Sequence, residues 1–421
     1  MQDIQATVSE QWTERLNKAI PCGTSTGSKA PLYAPEEPGV IVRGKGCRVW
    51  DADGRDYIDF RNGLGPVTLG YGYPAVDEAI RRQLDNGIIY GHPHTLECEV
   101  AEMVSELIPC AEQARFLKTG GEAIAACIKL ARAYTGRDHI VQIGYNGWLN
   151  SNAVGGAALP ERTAQVLPGV PLAVSSLHHA CRWNDIAALE RLLDEFSGQI
   201  AAIVIAADYG SMEAGHAFYP AVRALADKHG SLLIFDEIVT GFRIAIGGAQ
   251  QYFGVTPDLA VFSKGIANGM PLSVYAGRKE VMSCCAPGKV VISSTFGGET
   301  LSLAAAKACM DTYRSHDVSG FLWKQGEAVW GALNRMFERK GIPAAIRGFW
   351  PCPTFGATDG KTGSAVLPLF FRLAYKHGVS LYNVSYVNFS HRDEDVAEAL
   401  ARLERACDEY LKLTGGSEDG K

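Results

Sequence analysis

The sequence predicts an α/β protein, with a large domain on a mainly parallel sheet and a smaller α+β domain at its C-terminal end. Three observations carry that expectation. Short apolar runs ("DHIVQIG", "QIAAIVIAA", "GSLLIFDE", "LAVFSK", "SVYAG") alternate with helix-patterned stretches such as "YPAVDEAIRRQLDNG" and "LECEVAEMVSELI". Such alternation marks strands joined by helical crossovers. Leu232–Phe235 and Leu259–Phe262 are apolar throughout, as buried strands are. The length, 421 residues, is enough for a large core and two domains.

Taken in order, residues 1–60 read as an amphipathic helix (Val8 to Ile20), a Gly/Pro-rich loop and a hairpin, and are expected to be part of the small domain. In "GVIVRGKGCRVWDADGRDYIDF" apolar and polar residues alternate, and Asp53-Gly54 supplies the turn. Residues 61–305 carry the strand–helix alternation and form the large domain. Residues 306–421 form the small domain, with a long helix through "LWKQGEAVWGALNRMFERKG" and a last helix, "RDEDVAEALARLERACDEYLKL". The tail "TGGSEDGK" is expected to be disordered.

Composition excludes some classes of partner. A formal net charge of -6 and scattered basic residues make no electrostatic case for nucleic acid or an anionic membrane. The chain is 47% hydrophobic and 20% charged, as soluble globular proteins are. "MQDIQATVSEQWTERLNK" carries no signal-peptide core, and the apolar run "IAAIVIAA" stops at Asp208, far short of a membrane span. Eleven cysteines in no regular framework, with Cys284 and Cys285 adjacent, point to free thiols and a cytoplasmic setting.

The chemistry centres on "SLLIFDEIVTGFR". A buried strand ends in Asp236 and Glu237, and a carboxylate there is costly unless something positive meets it. Three features could cooperate with Asp236. Lys264 ends the apolar strand of "PDLAVFSKGIANGMP" beside Gly265, where desolvation would favour the neutral, nucleophilic amine. In "FLKTGGEAIAACIKLARAYTG" a strand runs into Thr119-Gly120-Gly121 and a helix, whose free N–H groups cradle an anion. In "IGYNGWLN", Tyr145 and Trp148 bracket a glycine turn and could cover a flat ring. Singly these have ordinary readings: a solvated loop lysine, a capping turn, aromatic packing. Together they describe a flat, phosphorylated, electron-withdrawing pyridine aldehyde, with lysine as the Schiff-base partner and Asp236 keeping the pyridine nitrogen protonated.

The block "IFDEIVTGFRIAIGGAQQYFGVTPDLAVFSKGIANGMPLSVYAGRKEVM" resembles the class III, fold type I pyridoxal-phosphate aminotransferases, and among them the glutamate-1-semialdehyde aminomutase group. "GLGPVTLGYGYPAVDEAI", "TLECEVAEMVSELIPCAEQARFLKTGGEA", "ARAYTGRDHIV" and "STFGGETLSLAAAKA" share the resemblance. It implies a seven-stranded-type sheet and pyridoxal 5'-phosphate as cofactor. Lys264 is then the Schiff-base lysine and proton shuttle, and Asp236 the pyridinium partner. Ile238 and Tyr145 cover the two ring faces; Thr119, Gly120 and Gly121 hold the phosphate, and Asn146 is a further cofactor-binding residue. Thr295 reaches the phosphate of a neighbouring subunit, which makes the protein a homodimer with shared active sites.

Several positions depart from the family pattern and concern the substrate. Ala206-Ala207 stand where an acid–proline pair is usual. Gly121 replaces Ser or Thr, Asn146 replaces His, Leu64 replaces Trp, and Lys29 stands where the aminomutase has an arginine. A lysine lacks the bidentate fork of arginine. Ser28, Lys29, Leu64, Tyr90, His92, His94, Asn146 and Glu299 are the candidate substrate contacts, and polar groups dominate the set, which favours a hydrophilic carbonyl acceptor. The expected reaction moves an amino group from a small-molecule donor such as glutamate to that acceptor. A 2,1-aminomutase is the alternative, and a racemase, epimerase or decarboxylase a more distant one. "GTSTG" (Gly23–Gly27) fits a hydrolase pattern around Ser25, but no buried strand precedes it. His92, His94, His178 and His179 lack companions at ligand spacing, so no metal site is expected.

Overall fold

The computed structural model describes residues 6–149 and 168–415, so most of the tail "TGGSEDGK" lies outside the described residues. The chain divides into two compact units. One is discontinuous, Met1–Tyr73 with Gly320–Lys421; the other is continuous, Pro74–Ser319.

In the discontinuous unit the first helix, Val8–Ala19, opens with a capping box between Thr7 and Glu10. Strands β1 (Ile41–Lys45), β2 (Arg48–Asp51) and β3 (Asp56–Asp59) form an antiparallel meander. The β2–β3 turn holds Asp53-Gly54, with Gly54 at φ 85°.

The continuous unit carries β4 (Gln113–Leu117), β5 (His139–Ile143), β6 (His178–Cys181), β7 (Ile200–Ala206), β8 (Leu232–Asp236), β9 (Leu259–Phe262) and β10 (Ser273–Gly277). They form one seven-stranded sheet in the order β4-β10-β9-β8-β7-β5-β6. Only β10 runs against its neighbours in that sheet, so β4, β5, β8 and β9 all end at the same edge. β7, β9 and β10 are buried along their whole length, and β8 up to Asp236. This is why their sequences read as unbroken apolar runs. The amphipathic helix Gly120–Thr135 packs Ile124, Cys127, Ile128 and Ala131 into the same core as Val204, Ile234 and Val261.

The discontinuous unit is completed by β11 (Ala344–Arg347), β12 (Thr354–Ala357) and β13 (Val379–Ser380), the last parallel to β3. The expected long helix around Trp330 runs without a break over 318–340, with α-helical stretches Val318–Gly326 and Ala332–Lys340 continuous through a π-helical turn at Glu327–Gly331. Asp393–Thr414 is the closing helix.

Unit boundaries fall later than the 60/61 and 305/306 expected from the change of sequence pattern. Residues 61–73 stay with the discontinuous unit: Tyr71 bridges Gly46, and Phe389 donates its N–H to Thr68. Helix Thr300–Ser315 packs on Pro74–Leu84 and Thr95–Leu107, which holds it in the continuous unit.

Candidate active site

Asp236 is the last residue of β8, and Lys264 follows the end of the adjacent β9 by two positions. Ligands of open α/β sheets bind at this edge. The Asp236 carboxylate is half-buried; its Oδ1 accepts the Ile238 N–H at 3.1 Å. Desolvation pushes its pKa up to about 7, against the pull of the Ile238 N–H and the positive Lys264. It therefore binds a cation with more gain than a solvated carboxylate.

The neighbouring acid does other work. Glu237 is fully buried and points away into the core, where its carboxylate accepts the N–H groups of Ala249 at 2.7 Å and Gln250 at 2.9 Å and the Thr240 hydroxyl. Burial raises its pKa to about 7 as well. By fixing the chain on both sides of Gly241, it sets where Ile238 lies. The sequence reading missed this role, although two acids at one strand end were the signal.

Lys264 is half-buried and holds φ at 46°, a left-handed conformation that a lysine adopts only under constraint. The constraint is visible. Ser263 donates its hydroxyl to Leu272 O at 2.7 Å, and Tyr313 donates its own to Gly265 O at 2.7 Å.

The anion cradle begins where β4 ends. Thr119 is the N-cap of helix Gly120–Thr135, in a capping box with Glu122. First-turn N–H groups have no acceptor within their helix, so those of Gly120 and Gly121 are free to bind an anion. A Cβ on Gly120 would fall inside the Ile238 side chain, whereas one on Gly121 would meet nothing closer than Leu149 Cγ at 3.8 Å. Ile238 thus lies directly against the cradle. Tyr145 is 55% exposed, and the negative Asp236 adds to the burial that raises its phenol pKa. Asn146 is buried and donates to Ile143 O and Gly144 O, both at 3.3 Å, while its Oδ1 has no hydrogen-bond partner among the described residues.

Thr119, Gly120, Gly121, Tyr145, Asp236, Ile238 and Lys264 therefore form one cluster. It combines a carboxylate needing a cation, a lysine, an aliphatic and an aromatic surface, and backbone donors for an anion. That set fits a phosphorylated pyridine ring, and the orphaned Asn146 oxygen leaves one further acceptor beside it. Thr295 is exposed, on a segment that lies against the end of β4: a Cβ on Gly297 would be 2.6 Å from Phe116 O.

The candidate substrate contacts separate. Glu299 is the N-cap of helix Thr300–Ser315, accepting Leu301 N–H at 2.9 Å and Ser302 N–H at 3.0 Å, and it pairs with Lys118 Nζ at 2.8 Å. That ion pair and cap draw its pKa down despite burial. His94 caps helix Thr95–Leu107, its Nδ1 accepting the Leu96 N–H at 3.1 Å, and stacks on Tyr90. Both residues are committed to structure. His92 is exposed, and the Tyr90 hydroxyl donates to Asn86 O.

In the discontinuous unit, Lys29 and Leu64 line a cavity of about 410 Å³ with Glu37, Asp59, Arg61 and Tyr375. The Ser28 carbonyl accepts Arg61 there at 2.5 Å. Leu64 has φ 74°, within a left-handed run that starts at Asn62. "GTSTG" lies between two short 3-10 turns and makes no strand–turn–helix elbow. His178 and His179 sit on the edge strand β6, bonded to Gln142 and Arg132 and to His139.

Residues 32–407 match the model of the class-III aminotransferase family. The chain is 32% identical over 407 residues to a glutamate-1-semialdehyde 2,1-aminomutase of Acetivibrio thermocellus, covering 93% of this chain and 95% of that one. The Gemmatimonas aurantiaca protein of the same name is 34% identical over 422 residues, covering 96% of each. Among solved structures, the FumI protein of a Sphingopyxis species in its pyridoxal-phosphate-bound form superposes with a TM-score of 0.88 at 25% identity, over 98% of this chain and 99% of that one. A Pseudomonas aeruginosa glutamate-1-semialdehyde aminomutase shares the fold, with a TM-score of 0.82 at 22% identity over 96% and 94% of the two chains. On the family match over residues 32–407 and the identity to these relatives, the chain belongs to the class-III aminotransferase family.

Proposed function

We propose that the protein is a pyridoxal 5'-phosphate-dependent aminotransferase that moves an amino group from an amino acid, such as glutamate, to a polar carbonyl compound. One observation carries the reading: Lys264 and Asp236 stand at the ends of adjacent parallel strands, beside an open helix N-terminus packed on Ile238.

When bound, the cofactor supplies an electron-withdrawing ring that takes up the electrons left by a departing α-proton. Asp236 would keep the ring nitrogen protonated. Its burial makes that pairing favourable, because a carboxylate raised to about 7 gains most from a cation. Lys264 would hold the cofactor's aldehyde carbon and, once released, carry the proton at Nζ between substrate and cofactor carbons. The N–H groups of Gly120 and Gly121 would hold the phosphate, with Thr119 fixing the turn. Ile238 and Tyr145 would restrict the ring from either face. Asn146 would offer its free Oδ1.

We further read the protein as a homodimer with shared sites, in which Thr295 serves the partner's phosphate. Ile88, Ile89, Tyr90, Val291 and Phe296 are large apolar residues left exposed, and Thr300 ties the first three to the second segment by donating its N–H to Ile88 O at 2.9 Å. A patch of that kind marks an interface. Eleven free cysteines favour a reducing, cytoplasmic setting. Ser28, Lys29 and Leu64 remain the proposed acceptor contacts, with Lys29 as its anion partner.

An intramolecular 2,1-amino shift is the second reading, favoured by the names of the curated relatives. Lys264→Ala tests what both share. The variant should lose the yellow absorbance that the cofactor gives in the wild type, and a wild-type band in it would refute the assignment of Lys264. A donor amino acid then separates the two, since a transaminase releases the donor's keto acid and an aminomutase returns an isomer.

A further inference from the structure

We propose that Lys118 and Glu299 form a positioning pair that locks the phosphate turn to the Thr295 segment and so sets cofactor affinity. The inference rests on the cofactor reading above and adds two residues to it.

Lys118 is the residue between β4 and the turn. Its Nζ lies 2.8 Å from Glu299 Oε1, and the two side chains are only 15% and 9% exposed. Ions this buried lose much hydration and persist where pairing and hydrogen bonds compensate for it. Here they do. Glu299 also accepts the N–H groups of Leu301 and Ser302, and Lys118 Nζ also donates to Ser302 Oγ at 3.4 Å. That serine hydroxyl donates to Pro271 O at 3.2 Å, in the loop that follows Lys264. The main chain of Lys118 is held as well, since its N–H reaches Glu122 Oε2 at 3.2 Å, inside the capping box of the phosphate helix. On the other side, Gly297 lies against Phe116 O. Gly298 lies against Glu97, whose carboxyl carbon a Cβ would meet at 2.5 Å.

Three segments therefore meet at one buried ion pair: the phosphate turn, the loop after Lys264 and the stretch that carries Thr295. A helix cap alone needs no lysine, and a surface lysine needs no buried carboxylate. The arrangement does what neither would do by itself. It fixes the carbonyl end of β4, from which the Gly120 and Gly121 N–H groups are aimed.

The test is a double-mutant cycle on cofactor affinity with Lys118→Met, Glu299→Gln and the double variant. Each is titrated with pyridoxal 5'-phosphate by protein fluorescence, and the thermal midpoint is read with and without cofactor. Positioning predicts that either single change weakens binding about ten-fold and that the double variant is no worse, because both remove the same pair. Two results would overturn it. Tighter binding in Glu299→Gln with weaker binding in Lys118→Met would make Lys118 a plain phosphate cation. Unchanged affinity with midpoints lowered equally in both forms would make the pair merely structural. Ser302→Ala removes one hydroxyl and serves if Lys118→Met does not fold; it should weaken binding about three-fold, and unchanged affinity there would likewise overturn the proposal. A wild type that binds no cofactor would refute the cofactor reading instead.

Discussion

Asp236 and Glu237 are neighbours in sequence, yet one faces the ligand edge of the sheet and the other the core. The pleat separates them. Burial lifts Asp236 from its ordinary 3.8 to about 7, so between those values the folded chain holds a proton that the unfolded chain releases. Its contribution to stability is full below about pH 4 and is lost as pH rises through about 7. Asp236→Asn should therefore raise the thermal midpoint of the cofactor-free protein at pH 8 and leave it unchanged near pH 4, while weakening cofactor binding at both. A midpoint difference that does not change with pH would contradict the assignment. Asp236 and Lys264 were legible in the sequence because a charge ending an apolar run is conspicuous. Lys118 and Glu299 were not legible as a pair, being 181 positions apart. His94 and Glu299 suggested substrate contacts because polarity is readable and direction is not; both turn their acceptors to helix ends.

At the scale of elements, the phosphate turn makes an asymmetric prediction. Gly120→Ala drives a methyl into Ile238 and should cost roughly 1–3 kcal/mol in urea unfolding, with weaker cofactor binding. Gly121→Ala has ordinary contact distances, lies in a helix and should be neutral or stabilising by up to about 1 kcal/mol. Equal effects at the two positions would contradict the cradle as described. The central strands were legible because parallel strands covered on both faces leave unbroken apolar runs. β6 was not, since "HHAC" at the sheet edge shows no such run: its histidines are satisfied by Gln142 and His139 on the neighbouring strand β5 and by Arg132 on helix Gly120–Thr135. The π-helical turn inside the Trp330 helix was likewise invisible, because it changes the hydrogen-bond step without breaking the apolar pattern.

At the scale of the molecule, the exposed apolar residues argue for a partner. Phe296 is 57% exposed and Val291 76%, on the segment that carries Thr295. Phe296→Asp should shift the protein toward monomer in sedimentation and weaken cofactor binding with it. A monomer with wild-type affinity and turnover would refute shared sites. The strand–helix alternation placed the large domain between 61 and 305, but the compact units change at Tyr73 and Ser319. Hydrogen bonds from Phe389 and Gly46, rather than any shift in composition, decide where residues 61–73 belong.

The most direct test of the central claim is the visible spectrum of the purified, cofactor-loaded protein as amino acids are added one at a time. One donor should bleach the yellow band and release its own keto acid, and Lys264→Ala should show no such band to bleach. A band in the wild type that no donor changes would contradict an aminotransferase and leave the intramolecular shift. A protein that takes up no cofactor at all would contradict the site itself.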